Sequence, residues 1–121
     1  MPLPRISVAD GVAAVAAVQR GDADRLTSAL AVRWILQEHA RIAPGKSVEV
    51  RVPPFGAVQI VEGPGHTRGT PPNVIELNSE TLVALATGSL TWDESVAGGT
   101  VHASGTRATL AELLPLAGLS E

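Results

Sequence analysis

The period of the polar and apolar positions changes several times along the chain. Residues 47–52 alternate: Val48, Val50 and Val52 point one way, and Ser47, Glu49 and Arg51 the other. A two-residue period of this kind predicts a half-buried strand. Pro53 and Pro54 end it, because neither can donate to a ladder. Residues 57–62 read as a second strand, with Val58 and Ile60 on one face and Ala57, Gln59 and Val61 on the other. Both faces are apolar enough to predict a central place in the sheet. Residues 74–77 and 100–104 complete the strands. In the last, Val101 and Ala103 face away from His102 and Ser104.

Elsewhere the period lengthens to that of a helix. Residues 7–19 form a first helix, with Ser7 as its cap, Val8, Val12, Val15 and Gln19 on one face, and Gly21 as its stop. Asp22 opens a second helix over 23–42, closed by Pro44 and Gly45. Its apolar arc holds Leu26, Ala29, Leu30, Val32, Trp34, Leu36 and Ala40, and Arg33 and Gln37 fall inside that arc. His39 falls on the polar face. Residues 78–98 read as two short helices end to end. Asn78 caps the first, Leu82, Leu85 and Ala86 form its stripe, and Gly88 stops it. Thr91 and Glu94 have capping-box spacing for the second. A last helix over 108–114 carries Leu110, Leu113 and Leu114 on one face.

An arginine within an apolar arc needs an acceptor, since a buried charge must be paired. Arg33 is therefore expected either to snorkel or to meet a carboxylate such as Glu49 or Glu62, at the polar end of an apolar pocket. There it would also hold the acidic head of a ligand. Residues 63–73, GPGHTRGTPPN, have no regular period and carry His66 and Arg68. This loop is read as joining two antiparallel strands, either as a rigid turn or as a lid over a binding site.

Composition narrows the function. The 121 residues fit one domain, 1–121, and three aromatics, Trp34, Phe55 and Trp92, leave an aliphatic core. A net charge of -3 with mixed signs speaks against nucleic acid. No apolar run reaches the ~20 residues of a membrane span, so no stable insertion in a membrane is expected. Without a leader-like N-terminus, the reading is a cytoplasmic protein. The lack of cysteine and the spacing of His39, His66 and His102 predict no metal and no cofactor. No nucleophile elbow or paired-carboxylate spacing marks a catalytic residue. The enzyme alternative is acid–base chemistry by His66 and His102, with Glu62, Glu76 and Arg68 nearby.

The segment Leu85-Ala86-Thr87-Gly88, a second short helix, a Gly-rich turn and the strand at 100–104 resemble the C-terminal half of the sterol-carrier-protein family. The upstream stretches VEVRVPPFGAVQ and GPGHTRGTPPNVIEL resemble its short, stand-alone bacterial branch, and the likeness runs over about 25–116. It implies an α+β (mixed α/β) fold: a four- or five-stranded sheet, helices mainly on one face, and an apolar cavity between. It also implies non-catalytic binding or transfer of a hydrophobic ligand, a lipid, fatty acyl or isoprenoid. By that implication Leu82, Leu85, Leu110, Leu113 and Leu114 are cavity walls, with Arg33, Trp34, Gln37, His66 and Arg68 as wall or rim candidates. A structural or regulatory domain, as a homodimer or docked to a partner enzyme, stays open beside it. Short strands and many alanines predict a small pocket. An enclosed dry void of ~300 Å³ would cost about 7 kcal/mol, as much as much of a small domain's stability.

Overall fold

The computed structural model describes residues 4–63 and 73–119. In chain order the elements are α1 (Val8–Arg20), α2 (Arg25–Ile42), β1 (Val48–Val52), β2 (Gly56–Ile60), β3 (Val74–Leu77), α3 (Ser79–Thr87), α4 (Trp92–Ala97) and β4 (Val101–Ser104). A single 3₁₀ turn, Ala111–Leu113, follows. The fold is α+β, a mixed four-stranded sheet with four α-helices.

Helix ends are set by local chemistry. Ser7, Asp24, Asn78 and Thr91 are extended N-caps whose side chains each accept a hydrogen bond from a backbone N–H in the first turn. Thr91 and Glu94 complete a reciprocal capping box. Gly21 and Gly88 stop α1 and α3 in the left-handed conformation, at φ 77° and 87°.

The strands lie in the order β2-β1-β3-β4. β1 runs antiparallel to β2 and parallel to β3, and β3 runs antiparallel to β4. One face carries Val48, Val50, Val52, Ile60, Ile75, Leu77 and Val101, all buried with Val32, Ile35, Leu82, Leu85 and Leu110 from the helical layer and the C-terminal segment. The other face presents Glu49, Arg51, Glu76 and His102. Glu76 and His102 are exposed there, and Arg51 donates to Glu49 at 2.5 Å.

Three expectations are corrected. β2 is an edge strand, although both of its faces are fairly apolar. Val58 is half-buried because the hairpin edge tucks beside α2. The segment after β2 does join two strands that run in opposite directions, as expected, with β1 lying between them. The helix expected over 108–114 shrinks to one 3₁₀ turn. Leu110 offers no side-chain cap, and Pro115 drives Leu114 to an extended φ of -121° and ψ of 145°. The apolar arc of α2 is also displaced. Leu26 is 80% exposed, while Ala31, Val32, Ile35 and His39 are fully buried. The wheel assumes one covered direction, whereas α2 packs against α1, β2 and α3 at once.

A buried polar knot ties the start of the sheet. The Ser47 hydroxyl donates to the Val61 carbonyl at 2.7 Å, and the Asn73 amide donates to the Ser47 carbonyl at 2.8 Å. Asn73 also accepts from the Arg107 backbone N–H at 2.9 Å. Val61 holds a φ of 69°, an uncommon conformation for a β-branched residue. Its own N–H donates to Ala43 at 2.7 Å, so both of its peptide groups are anchored.

Candidate functional site

An open volume of about 620 Å³ lies where the α3–α4 junction meets the C-terminal segment. Local turn chemistry builds one wall. α3 ends at Gly88, and Leu90 N–H returns to the Ala84 carbonyl at 3.2 Å. Thr91 then restarts the chain as α4, and its backbone N–H donates to Glu94 at 2.9 Å. That bond, with a further contribution from the Thr91 side chain, holds the Glu94 carboxyl below its usual range. The result aims Leu90 and Trp92 into the cleft beside Leu85. The facing wall is Ala111, Leu114, Pro115 and Leu119. It is fastened to α3 by the Leu116 N–H, which donates to the Ala86 carbonyl at 2.9 Å.

The rim of this cleft carries Gln19, Thr87, Ser89, Thr91 and Asp93. Thr87 is already committed, since its hydroxyl donates to the Val83 carbonyl at 2.9 Å and sits 3.2 Å from the Ser89 hydroxyl. Asp93 is the one charged lining residue, and no cation lines the cleft among the described residues. Such a wall receives an apolar body and offers hydroxyl and amide groups to a neutral polar end.

A second cleft, of about 490 Å³, opens where α2 overhangs the β1–β2 hairpin. Pro4, Arg5, Ile6 and Asp10 close one side, and Leu30, Arg33, Leu36, Gln37, Phe55 and Val58 stand along the other. Gln37 is the fastening point: its side chain accepts from the Ile6 N–H and donates to the Ile6 carbonyl, both at 2.9 Å. Both clefts are open to solvent, so neither carries the cost of an enclosed dry void. That openness is how a small chain holds volumes larger than the small pocket expected from its alanine content.

The sequence-derived site residues are divided between these places. Leu85 and Leu114 line the first cleft; Arg33 and Gln37 line the second. Leu82 and Leu110 are fully buried in the core, and Leu113 is half-buried against it. Trp34 turns to α1, where its indole packs against Gly11, and its Nε1–H is buried without a partner. His66 and Arg68 lie outside the described residues. His102 is exposed on the open sheet face opposite Glu76, away from both clefts.

Two residues of α2 lie on sides other than those the helical wheel gives them, Arg33 thereby taking the solvent-reaching alternative. Arg33 is exposed rather than buried with a carboxylate, and among the described residues it has no ion-pair partner. Glu49 is instead paired with Arg51. His39, expected on the polar face, is fully buried, and neither ring nitrogen has a hydrogen-bond partner. Burial lowers its pKa from 6.5 to about 4, against a smaller upward pull from Glu38. The Glu38 carboxylate is turned to Arg41, at 2.8 Å.

Sequence reasoning missed Leu90, Trp92 and Leu119 in the first cleft and Arg5, Ile6 and Phe55 in the second. A signal existed for two of them. Trp92 and Phe55 are aromatics in a chain with three, each at an element's first residue or in a tight turn. The described residues hold no cluster of acidic or histidine side chains suited to a metal ion. Among the described residues no helix is long and apolar enough to cross a membrane.

A family model described as bacterial SCP ortholog matches residues 24–116. That span takes in α2, the four strands, α3, α4 and the Ala111–Leu113 turn, and it leaves α1 outside. Among curated proteins, none matches the chain.

Proposed function

The chain belongs to the family of bacterial SCP orthologs, a sterol-carrier-like family, and from that premise we propose that it binds and carries a hydrophobic small molecule in the cleft between the α3–α4 junction and the C-terminal segment. The observation that supports this reading most is the convergence of Leu85, Leu90, Trp92, Leu114 and Leu119 on one open volume of about 620 Å³. That size falls in the ~300–1,000 Å³ range of small-ligand pockets. All of these residues except Leu119 fall within the family match. The uncharged hydroxyls of Ser89 and Thr91 at the rim suit a neutral lipid with one polar end. Asp93 disfavours an anionic head at the same place.

The mechanism requires no chemistry on the ligand. Binding removes apolar surface of both partners from water, at roughly 25 cal/mol per Å². Release is eased because one wall is short irregular chain and a single 3₁₀ turn rather than a packed helix.

Trp92 reports directly on this cleft. Titration with a long-chain primary alcohol is expected to shift Trp92 emission to the blue, and the shift is expected to vanish in Trp92→Phe. Ala111 is exposed on the facing wall, so Ala111→Phe narrows the cleft without disturbing the core. Calorimetry should find that this variant binds the alcohol about tenfold more weakly, the value of some 1.4 kcal/mol of lost contact. Equal affinity in wild type and Ala111→Phe, with no response from Trp92, would remove the ligand from this site.

A further inference from the structure

The second cleft has a different chemistry from the first, and nothing in the carrier reading uses it. We propose that it is a separate site for an anionic amphiphile, an aliphatic monocarboxylate whose head lies at Arg5 and Arg33 and whose tail runs along Ile6, Leu30, Leu36 and Phe55.

The geometry begins with Gln37. Its two hydrogen bonds to the Ile6 backbone pin the N-terminal segment to α2. Arg33 precedes Gln37 by one helical turn and shares its face. The clamp fixes Ile6, the neighbour of Arg5, against α2, and both arginines line the same cleft. Two arginines thus line one cleft in a chain whose net charge is -3. An anion bound there would be attracted by both.

Neither arginine is ion-paired among the described residues. One carboxylate, Asp10, also lines the cleft, and it forms no ion pair with either of them. The rim thus carries two cations against one anion. A guanidinium has a planar fork of donors that fits a carboxylate through paired N–H bonds, which an ammonium imitates less well.

The wall behind the rim is apolar and incompletely covered. Ile6, Leu30, Phe55 and Val58 are each half-buried, and Leu36 is buried behind them. The Arg25 guanidinium lies 5.9 Å from the Phe55 ring centroid, within cation–π reach. The position of Gly56 at the cleft edge leaves the backbone accessible beside that ring. A free cation pair beside partly covered apolar side chains recognises a molecule with both features. A free inorganic anion would use only the rim, and a neutral lipid only the wall.

Calorimetry with decanoate, decanol and inorganic phosphate separates these occupants, and backbone amide shifts locate them. Decanoate is expected to bind wild type and to move the amides of Ile6, Leu30 and Phe55. Arg33→Glu and Arg5→Glu should each weaken it by about tenfold or more, the value of one charge-assisted hydrogen bond. Arg33→Lys should recover part of that loss. Both arginines are exposed and unpaired, so the variants should melt with wild type, which the same samples check. Decanol should bind with unchanged affinity in the arginine variants. Decanoate affinity unchanged in the Arg5→Glu, Arg33→Glu double variant would overturn the proposal. So would phosphate binding as tightly as decanoate. Decanoate binding that weakens in Ala111→Phe and not in Arg33→Glu would place the acid in the first cleft, overturning this site while leaving the carrier reading intact.

Discussion

Arg33 and His39 stand on the same helix and have exchanged the environments the helical wheel suggests. The permanent cation is in water, unpaired, at the edge of an open cleft. The weak base is fully buried and hydrogen-bonds nothing. The inward side of α2, with Val32, Ile35 and His39, has no solvent exposure. The outward side, with Arg33 and Gln37, is where the N-terminal segment and the second cleft are assembled. The contrast teaches that the inward side should govern stability and the outward side recognition. His39 is tolerated inside because it can stay neutral, whereas a guanidinium cannot be deprotonated.

The inward side should show the largest effect, in its response to acid. Above its unfolded pKa of 6.5, His39 is neutral in both states and costs nothing in protonation. As pH falls from 6.5 to about 4, the unfolded chain takes up a proton that the folded chain refuses. Stability should fall across that window by up to about 3 kcal/mol from this residue alone, then level off. Denaturant midpoints for wild type and His39→Leu at pH 7 and pH 4.5 measure it. The variant should lose the His39 share of the pH dependence and be the more stable protein at pH 4.5. At pH 7 it should gain about 1–3 kcal/mol by deleting two unsatisfied nitrogens. Parallel pH curves for the two proteins would break the comparison.

The contact between α1 and α2 comes next. A Cβ at Gly11 would overlap the Trp34 indole, which is buried and 3% exposed. Helix propensity alone favours Gly11→Ala by about 1 kcal/mol. Overpacking against a rigid buried ring costs about 1–3 kcal/mol and should win, so the variant should melt lower. A melting temperature above wild type would mean that Trp34 is free to move.

The smallest effect should come from the outward side. Arg33→Met removes no ion pair and exposes no core, so its denaturant midpoint should stay within about 0.5 kcal/mol of wild type. A loss of about 3–5 kcal/mol would signal a buried pair after all, and would erase the distinction between the two sides.

What the sequence by itself determined was local. Ser7, Asn78 and Thr91 cap their helices as expected, Glu94 answers Thr91, and Gly21 and Gly88 end theirs, because each of these contacts spans only a few residues. The alternation at Val48, Val50 and Val52 gave the buried face of β1 for the same reason. The family also was legible, since LATG and the two upstream stretches occur in order. Tertiary structure alone decided the rest. The edge position of β2 depends on β3 choosing the other side of β1, and no residue within β2 encodes that choice. The fate of Leu110–Leu114 depends on a docking surface at Ala86 and on Pro115 keeping Leu114 out of the helical conformation. Both clefts join residues from distant parts of the chain, Leu85 with Leu114 and Ile6 with Gln37. The inversion of Arg33 and His39 has the same cause. A helical wheel reports one average apolar direction, but α2 is enclosed by three neighbours, and which side each covers is set only when the whole chain packs.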